Sequence, residues 1–474
     1  MSQTITIDPV TRLEGHGKIT IQLNRAGEVE NAHFHVTQVR GFERFSQGRP
    51  FYEMPGLMAR ICGICPVSHL IASAKACEAI MSVRIPHTAA QLRRMLNLAQ
   101  MVQSHALSFF YLSSPDLLLG MESGPSARNL FGVAAARPEL GRAGVGLRRF
   151  GQTIIESLGN KRIHPGWVVP GGVTEPLSAA KRDAILALLP EAYANIKLAL
   201  DWYKQIADKF RQEIEVFANF PSLFMGLINE DETIEFTDGA LRLIDAEGAV
   251  VADGITASDF TQVIGEAVEP YSYTKFAYFK PLGYPQGSYR VGPLARLNIA
   301  KSMGTPSADA ELAEFKQLAQ GPVQSSFYYH HARLVDMLYG IEKIERILSD
   351  PLILDKHVRA SAGVNRLEGA GQAEAPRGTL MHNYKVDENG KITWANLVIA
   401  TGQNNHAMNR GVLQAAKHYV KNGKFSEGIL NRVEAVVRTF DPCLSCSSHA
   451  VGQMPLAISL LTADGEVLDR VIRS

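Results

Sequence analysis

Residues 60–69, RICGICPVSH, and residues 441–449, DPCLSCSSH, are the stretches from which the fold is read. Each holds a C-x-x-C followed closely by a histidine: Cys62, Cys65 and His69 in the first, Cys443, Cys446 and His449 in the second. A C-x-x-C lets two thiolates converge on one ion, and soft thiolates select zinc, nickel, copper(I) or iron. Alone, such a motif reads equally as a zinc half-site or a redox dithiol. Ribbon-type zinc sites bring their halves together over roughly 15–20 residues. Here 378 positions separate Cys65 from Cys443, so a large domain must fold to close one four-sulfur site. That span is excessive for a structural staple and natural for a buried catalytic metal.

The 474 residues are 46% hydrophobic and 20% charged, with a formal net charge of +1. That balance fits a globular chain with one extensive core or two smaller ones. It offers no basic surplus to draw nucleic acid. The five cysteines favour metal ligation or reduced thiols over a disulfide framework. Cys77, in an alanine-rich helical stretch, reads as a buried small hydrophobe. No apolar run approaches the roughly 20 residues that span a membrane. The start, MSQTITIDPV, shows no signal-peptide pattern.

Residues 18–36 alternate apolar and polar and predict two strands around a turn at Ala26-Gly27. Residues 241–254, 384–400 and 458–472 repeat this design, each with a glycine turn between short apolar strands. All four are expected as peripheral hairpins. Helical spacing marks Leu92, Met95, Leu96, Ala99, Val102, Ala106 and Phe109 between Ala89 and Leu112. It also marks Phe327, Leu334, Val335, Leu338, Ile341 and Leu348 between Gln324 and Leu348. From Ser178 to Phe217 the pattern is helical, but Pro190 should break it. No low-complexity linker interrupts the chain. The expected fold is α+β and mainly helical: one compact unit with a central long-helix bundle and peripheral β-hairpins.

The text around the cysteines closely resembles the two cysteine motifs of the large subunit of nickel–iron hydrogenases. The resemblance continues, in the family's order, through IDPVTRLEGHGKI from Ile7, VRGFERFSQGRP from Val39, SHALSFFYLSSPDLLLG from Ser104, EAPRGTL from Glu374 and IATGQNN from Ile399. SSPD, SLFMGL, YRVGPLARLN and DPCLSCSSHAVGQMPL resemble the soluble, NAD-linked bidirectional branch. That branch implies a cytoplasmic location; the bare N-terminus excludes little, because exported members leave on a signal carried by their small subunit. The family fold, a helical bundle around a central metal site, agrees with the pattern above.

The resemblance implies a role for each matched residue. Cys62 and Cys443 would be terminal nickel ligands, and Cys65 and Cys446 would bridge nickel to iron. The iron would also carry carbon monoxide and two cyanides, which no side chain reveals. Heterolytic cleavage of dihydrogen needs a base beside the metals; Cys443 matches the thiolate given that role, and Glu14 the carboxylate that relays the proton. Without the family, Glu14 reads as a partner of Arg12 or a surface charge. Arg377 matches an arginine held over the metal pair, and its guanidinium stays charged. Asp116 matches the acid that orients Arg377; alone, Ser-Pro-Asp is a turn or helix cap. His69 should hydrogen-bond a bridging sulfur, and Pro376 and Thr401 should line the diatomic ligands. Glu43, His449 and the Leu397 carbonyl match a second cation site, for magnesium or, given the imidazole, iron. The other histidines, including His105, His330 and His331, read as structural.

The family matures by proteolysis after the last motif histidine. This resemblance implies a catalytic unit at 1–449 and an extension at 450–474, a hairpin around Asp464-Gly465, that is removed. While attached, the extension should hold DPCLSCSSH open and could pair with the edge of the N-terminal hairpin. The chain shows no iron–sulfur cysteine set, no G-x-G-x-x-G and no flavin motif, so electrons must leave through other subunits. The implied partners are a small iron–sulfur subunit, NAD(P)-reducing diaphorase subunits, nickel-insertion proteins and a maturation endopeptidase. Two other functions compete with the enzyme. A non-catalytic relative in a complex I-like assembly would have lost the cysteines, and a dihydrogen-sensing regulator would lack the extension.

Overall fold

The computed structural model describes residues 3–450, 456–462 and 466–473. Strands β1 (Gln3–Ile7), β2 (Gly17–Leu23) and β3 (Val29–Val36) pair antiparallel in that order, with Ile5 opposite Ile21 and Ile19 opposite Phe34. Their alternation buries Ile19, Ile21, Ala32, Phe34 and Val36 on one face. Gly27, at φ +77°, makes the turn where the sequence places it.

The apolar stripes form α1 (Pro66–Met81), α2 (His87–Ala106), α3 (Pro138–Gly159), α4 (Leu189–Ala207) and α5 (Tyr329–Ser349). α2 lies against α3 and α5, and α4 packs on the same two helices. The expected break near Pro190 falls at Ala187 and Leu188, and Pro190 opens the following helix. A proline is well placed in a first helical turn, where its missing N–H has no partner to lose. Beyond Ala106, α2 widens into a π-helical segment, Leu107–Ser113, before a short helix, Ser114–Leu119. Such widening is frequent at functional sites. Here the Leu112 carbonyl accepts from Arg12 Nη1 at 2.9 Å.

Strands β4 (Leu223–Ile228), β5 (Ala240–Ile244), β6 (Val250–Ile255) and β7 (Tyr289–Arg290) form a sheet of order β7-β4-β5-β6. The outer strand β6 is largely exposed, as a peripheral hairpin should be. A third sheet, β8 (Glu368–Ala375), β9 (Gly378–Val386) and β10 (Ile392–Val398), departs from that expectation. β9 is buried along nearly its whole length, and β8 lies directly on α1. The reason is in EGAGQAEA: a Cβ on Gly369 or Gly371 would stand 2.3 or 2.2 Å from the carbonyl oxygens of Ala76 and Ala72. Only glycine lets strand and helix backbones come this close. The same small residues have low strand propensity, which is why β8 escapes a sequence reading.

Helices α6 (Asn405–Tyr419) and α7 (Glu427–Phe440) complete the core, with α6 covering β3. Strands β11 (Leu456–Leu461) and β12 (Val467–Arg473) form a two-stranded sheet of their own. Among the described residues they do not pair with the N-terminal sheet, contrary to expectation. The turn expected at Asp464-Gly465 lies outside the described residues.

The α2–α3 contact tests the packing. A Cβ at Gly151 would lie 2.2 Å from the Ala99 carbonyl oxygen, whereas one at Gly56 meets nothing within 4 Å. Gly151→Ala should therefore destabilise the chain by about 1–3 kcal/mol, seen as a lower thermal midpoint. Gly56→Ala should leave the midpoint unchanged or raise it slightly. Equal midpoints for the two variants would contradict the close approach.

Candidate metal centre

Each cysteine pair stands where a chain element changes direction. Cys62 is extended, and Cys65 caps the N-terminus of α1, with Pro66 in its first turn. Asp441, at φ +52°, ends α7 in the left-handed region and turns the chain so that Cys443 caps the short helix Leu444–Ser447. Aspartate tolerates that backbone better than most side chains. Both pairs thus end against helix N-termini, whose unpaired N–H groups favour anionic sulfur.

The four sulfurs lie within 4.8 Å of one another and all four residues are buried. Cys443 Sγ is 3.3 Å from Cys62 Sγ and 2.8 Å from Cys446 Sγ, and Cys65 Sγ is 3.4 Å from Cys446 Sγ. These separations exceed the S–S bond length of about 2.05 Å, and all the cysteines are free. Hydrogen bonds from its three neighbours hold the Cys62 thiol well below the ordinary range, while burial pushes Cys443 and Cys446 up. Four buried sulfurs at this spacing cannot all ionise by themselves; a cation among them removes the conflict. The donor set therefore fits a soft metal.

Arg377 and Pro376 form the two-residue turn between β8 and β9. The turn is braced from beneath by buried Arg296, which donates to the carbonyls of Ala375 at 3.2 Å and Pro376 at 3.3 Å and pairs with Glu374 at 2.5 Å. Burial opposes the Arg377 charge, but Asp441 and the neighbouring sulfurs outweigh it and raise its pKa well above the usual value. Arg377 stays cationic beside the sulfurs.

Asp116 does not orient Arg377, contrary to expectation. The guanidinium donates through Nε to the Asp441 carbonyl at 2.6 Å, through Nη2 to Asp441 Oδ1 at 3.1 Å, and through Nη1 to Ser104 Oγ at 3.2 Å. Asp441, next to Pro442 and Cys443, is close enough to do this because α7 ends there. Asp116 lies in the first turn of the helix after the π segment and faces the other way. It accepts from Arg12 at 2.6 Å and Asn431 at 3.0 Å and lies 3.3 Å from Arg438. Sequence reasoning missed Asp441, although it adjoins the second motif.

The other expected residues gather around the cysteines. Glu14 bridges Cys443 in parallel at the backbone; its carbonyl accepts from Leu444 N at 3.1 Å. Its carboxylate accepts from Ser445 N at 3.0 Å and from the Ser445 hydroxyl. Arg12 is not its partner. Thr401 Oγ1 accepts from Cys443 N at 2.9 Å, which leaves its own proton free to donate. His69 turns Nδ1 toward His382 Nε2 at 3.3 Å, and no hydrogen bond joins it to a sulfur among the described residues. Burial holds His69 down to about 4, so it is neutral. His382 continues to Tyr384 at 2.6 Å and Tyr384 to Ser73 at 2.8 Å, a buried chain with no sequence signal.

Glu43 Oε1 accepts from Leu397 N at 2.8 Å and lies 3.6 Å from His449 Nε2. That imidazole nitrogen is buried without a hydrogen-bond partner, a state an approaching cation would relieve. Lys275, also missed in sequence, stands 3.7 Å from Glu43 Oε2. Glu43, Leu397 and His449, the residues expected to hold a second cation, thus already lie together with Ala450 attached. So do the cysteines of the second motif, since Cys446 touches Cys443. The extension expected to hold DPCLSCSSH open continues into residues 451–455, which lie outside the described residues; up to Ala450 the motif is closed. The motif is closed by bonds that do not involve residues past His449: Arg40 N to Ser448 O at 2.8 Å and Glu43 N to His449 O at 3.2 Å.

The profile of the nickel-dependent hydrogenase family matches residues 40–134 and 225–449, and a HoxL-like profile matches residues 4–39. The chain belongs to the nickel-dependent hydrogenases. It is 40% identical, over the full length of both, to the NAD-reducing hydrogenase HoxS subunit beta of Cupriavidus necator. It is 29% identical to sulfhydrogenase 2 subunit alpha of Pyrococcus furiosus, over 94% of this chain and 99% of that one. A crystal structure of an NAD+-reducing nickel–iron hydrogenase in its dihydrogen-reduced state superposes with a TM-score of 0.92 at 42% identity. That match covers 94% of this chain and 99% of the other. This chain is a hydrogenase large subunit, an oxidoreductase, and its four-cysteine group fits the nickel–iron site of the family.

Asp441→Asn keeps the shape of the side chain but removes the charge opposite Arg377. It should destabilise the metal-free chain by about 1.5–3 kcal/mol, read from denaturant melts. An unchanged melt would show that Arg377 is compensated elsewhere.

Proposed function

We propose that the chain is the catalytic subunit of a reversible, NAD(P)-linked hydrogenase that cleaves dihydrogen heterolytically at a nickel–iron centre. Four free thiols converging beside a cationic Arg377 carry the reading. In it, Cys62 and Cys443 would be ligands of nickel alone, Cys65 and Cys446 would be shared with iron, and the iron would also carry carbon monoxide and two cyanides. Bound together, the two metals supply the acidity that dihydrogen lacks in water.

The chain's own residues do the rest. The Cys443 sulfur takes the proton. Glu14, half-buried and next to Cys443 along the backbone, passes it outward. Arg377 holds positive charge over the site and is too strong a cation to serve readily as base. The free Thr401 proton could donate to a cyanide, and the Pro376 ring would give the diatomics an apolar wall. Glu43, His449 and Leu397 hold a second cation, magnesium or iron. Gly63, between the first two cysteines, is exposed, and exposed Ile163 lies beside it. Electrons therefore have a short way out to a small iron–sulfur subunit, and through diaphorase subunits to NAD(P), in the cytoplasm.

Elemental analysis of the purified complex should find nickel and iron, and infrared spectra should show metal-bound carbon monoxide and cyanide. Zinc alone, with no such bands, would overturn the reading. We further assign residues 450–474 as an extension removed by an endopeptidase after nickel-insertion proteins have loaded the site. Mass spectrometry of active enzyme should find a large subunit ending at His449. Full activity in a subunit still ending at Ser474 would make the extension structural.

A further inference from the structure

The Thr11-Arg12 strap just before Glu14 is held more tightly than a loop requires. Arg12 sits at φ +56°, a backbone conformation that a side chain other than glycine adopts at a cost. Its guanidinium fork reaches three acceptors on two distant parts of the chain, the helical stretch around 112–116 and the helix carrying Asn431. Nη1 donates to the Leu112 carbonyl at 2.9 Å, and Nη2 donates to Asp116 Oδ1 at 2.6 Å and Asn431 Oδ1 at 3.0 Å. One residue earlier, Thr11 Oγ1 donates to Glu434 at 2.7 Å and the Thr11 carbonyl accepts from Arg438 at 3.3 Å. Arg438 also pairs with Glu434 at 2.7 Å and with Asp116 at 3.3 Å.

On the other side of Glu14 stands Gly15, at φ +89°, where a Cβ would lie 2.6 Å from Leu444 Cβ. Glu14 is thus fixed between a clamp at Arg12 and a wall at the second cysteine motif. Asn431, Glu434 and Arg438 all belong to α7, the helix that ends at Asp441, the partner of Arg377. One helix therefore sets the position of Glu14 against Arg377 and Cys443. The two guanidinium groups and two carboxylates balance, so the cluster brings no net charge to the site. Its effect is geometric.

We infer that Arg12 and Asp116 are positioning residues for Glu14, an inference that rests on the proton-relay reading of that carboxylate. Asp116 then acts on the proton path and not on Arg377. Proton transfer depends steeply on donor–acceptor distance, and small displacements of a positioned group are costly.

The test uses the assembled complex with three variants: Glu14→Gln, Arg12→Lys and Asp116→Asn. Arg12→Lys keeps the charge but cannot reach three acceptors at once. Dihydrogen–deuteron exchange and the solvent isotope effect on turnover report proton transfer. The infrared bands of the metal ligands report the site itself. Arg12→Lys and Asp116→Asn should each slow exchange roughly tenfold or more and raise the isotope effect, with the bands unshifted. Combined with Glu14→Gln, neither should add to the loss. Asp116→Asn serves alone if Arg12→Lys does not assemble. Normal exchange in both variants, or shifted bands with exchange unchanged, overturns the clamp while a defective Glu14→Gln keeps the relay. A fully active Glu14→Gln enzyme overturns the relay itself.

Discussion

Four sulfurs within 4.8 Å, all buried, set the constraint from which the rest of this molecule follows. Bringing that much potential negative charge into a low-dielectric interior is unfavourable unless cations meet it. The chain supplies one of its own in Arg377 and leaves the remainder to metal. Arg377 is itself buried and needs a counter-charge that does not compete for the same ion. Asp441 provides it from the residue that ends α7. Burial pushes the Asp441 carboxyl up, and its guanidinium neighbours Arg377 and Arg333 pull against that shift. The charges nearest the sulfurs thus alternate in sign along one short path.

The same constraint explains where close backbone contacts occur. The sulfurs come from both ends of the sequence, so several elements must meet at one point without side chains between them. Gly15 lets the N-terminal strap touch Leu444. Gly378, at φ +136°, and Gly292, at φ +95°, let the β8–β9 turn lie against the segment around Val291. Gly369 and Gly371 let β8 rest on α1, the helix that begins after Cys65. These glycines cost conformational entropy, and they lie where an added methyl group would push apart the elements that carry the site.

Legibility in the sequence divides along physical lines. The motifs, the helical stripes and the glycine-turn hairpins are local patterns, and they were readable. The four cysteines could be placed together because thiolate chemistry demands a shared ion, whatever the fold. Partners chosen by tertiary geometry were not readable. Asp116 and Asp441 are the same residue type and both adjoin recognisable motifs. Only the π-helical turn and the end of α7 decide that one faces Arg12 and the other Arg377. Strand β8 was missed because alanine and glycine carry a weak strand signal, although burial between β9 and α1 makes it a strand. Lys275 and His382 have no periodic or motif context at all.

Closure of the second motif with Ala450 attached bears on what the extension does. The short helix at 444–447, the bonds from Arg40 and Glu43, and the pairing of Glu14 with Ser445 already hold Cys443 and Cys446 in place. None of these bonds uses a residue beyond His449. Under the proposed cleavage after His449, none of these bonds has to be remade, because each joins residues up to 449. Under that proposal the extension would act through access or kinetics: a chain that continues past a buried His449 would offer a route by which the motif could be drawn open. A chain that ends there would lack it. Cleavage as proposed would turn a reversible closure into a permanent one, with the bonds among residues 40–449 supplying the stability of the closed motif.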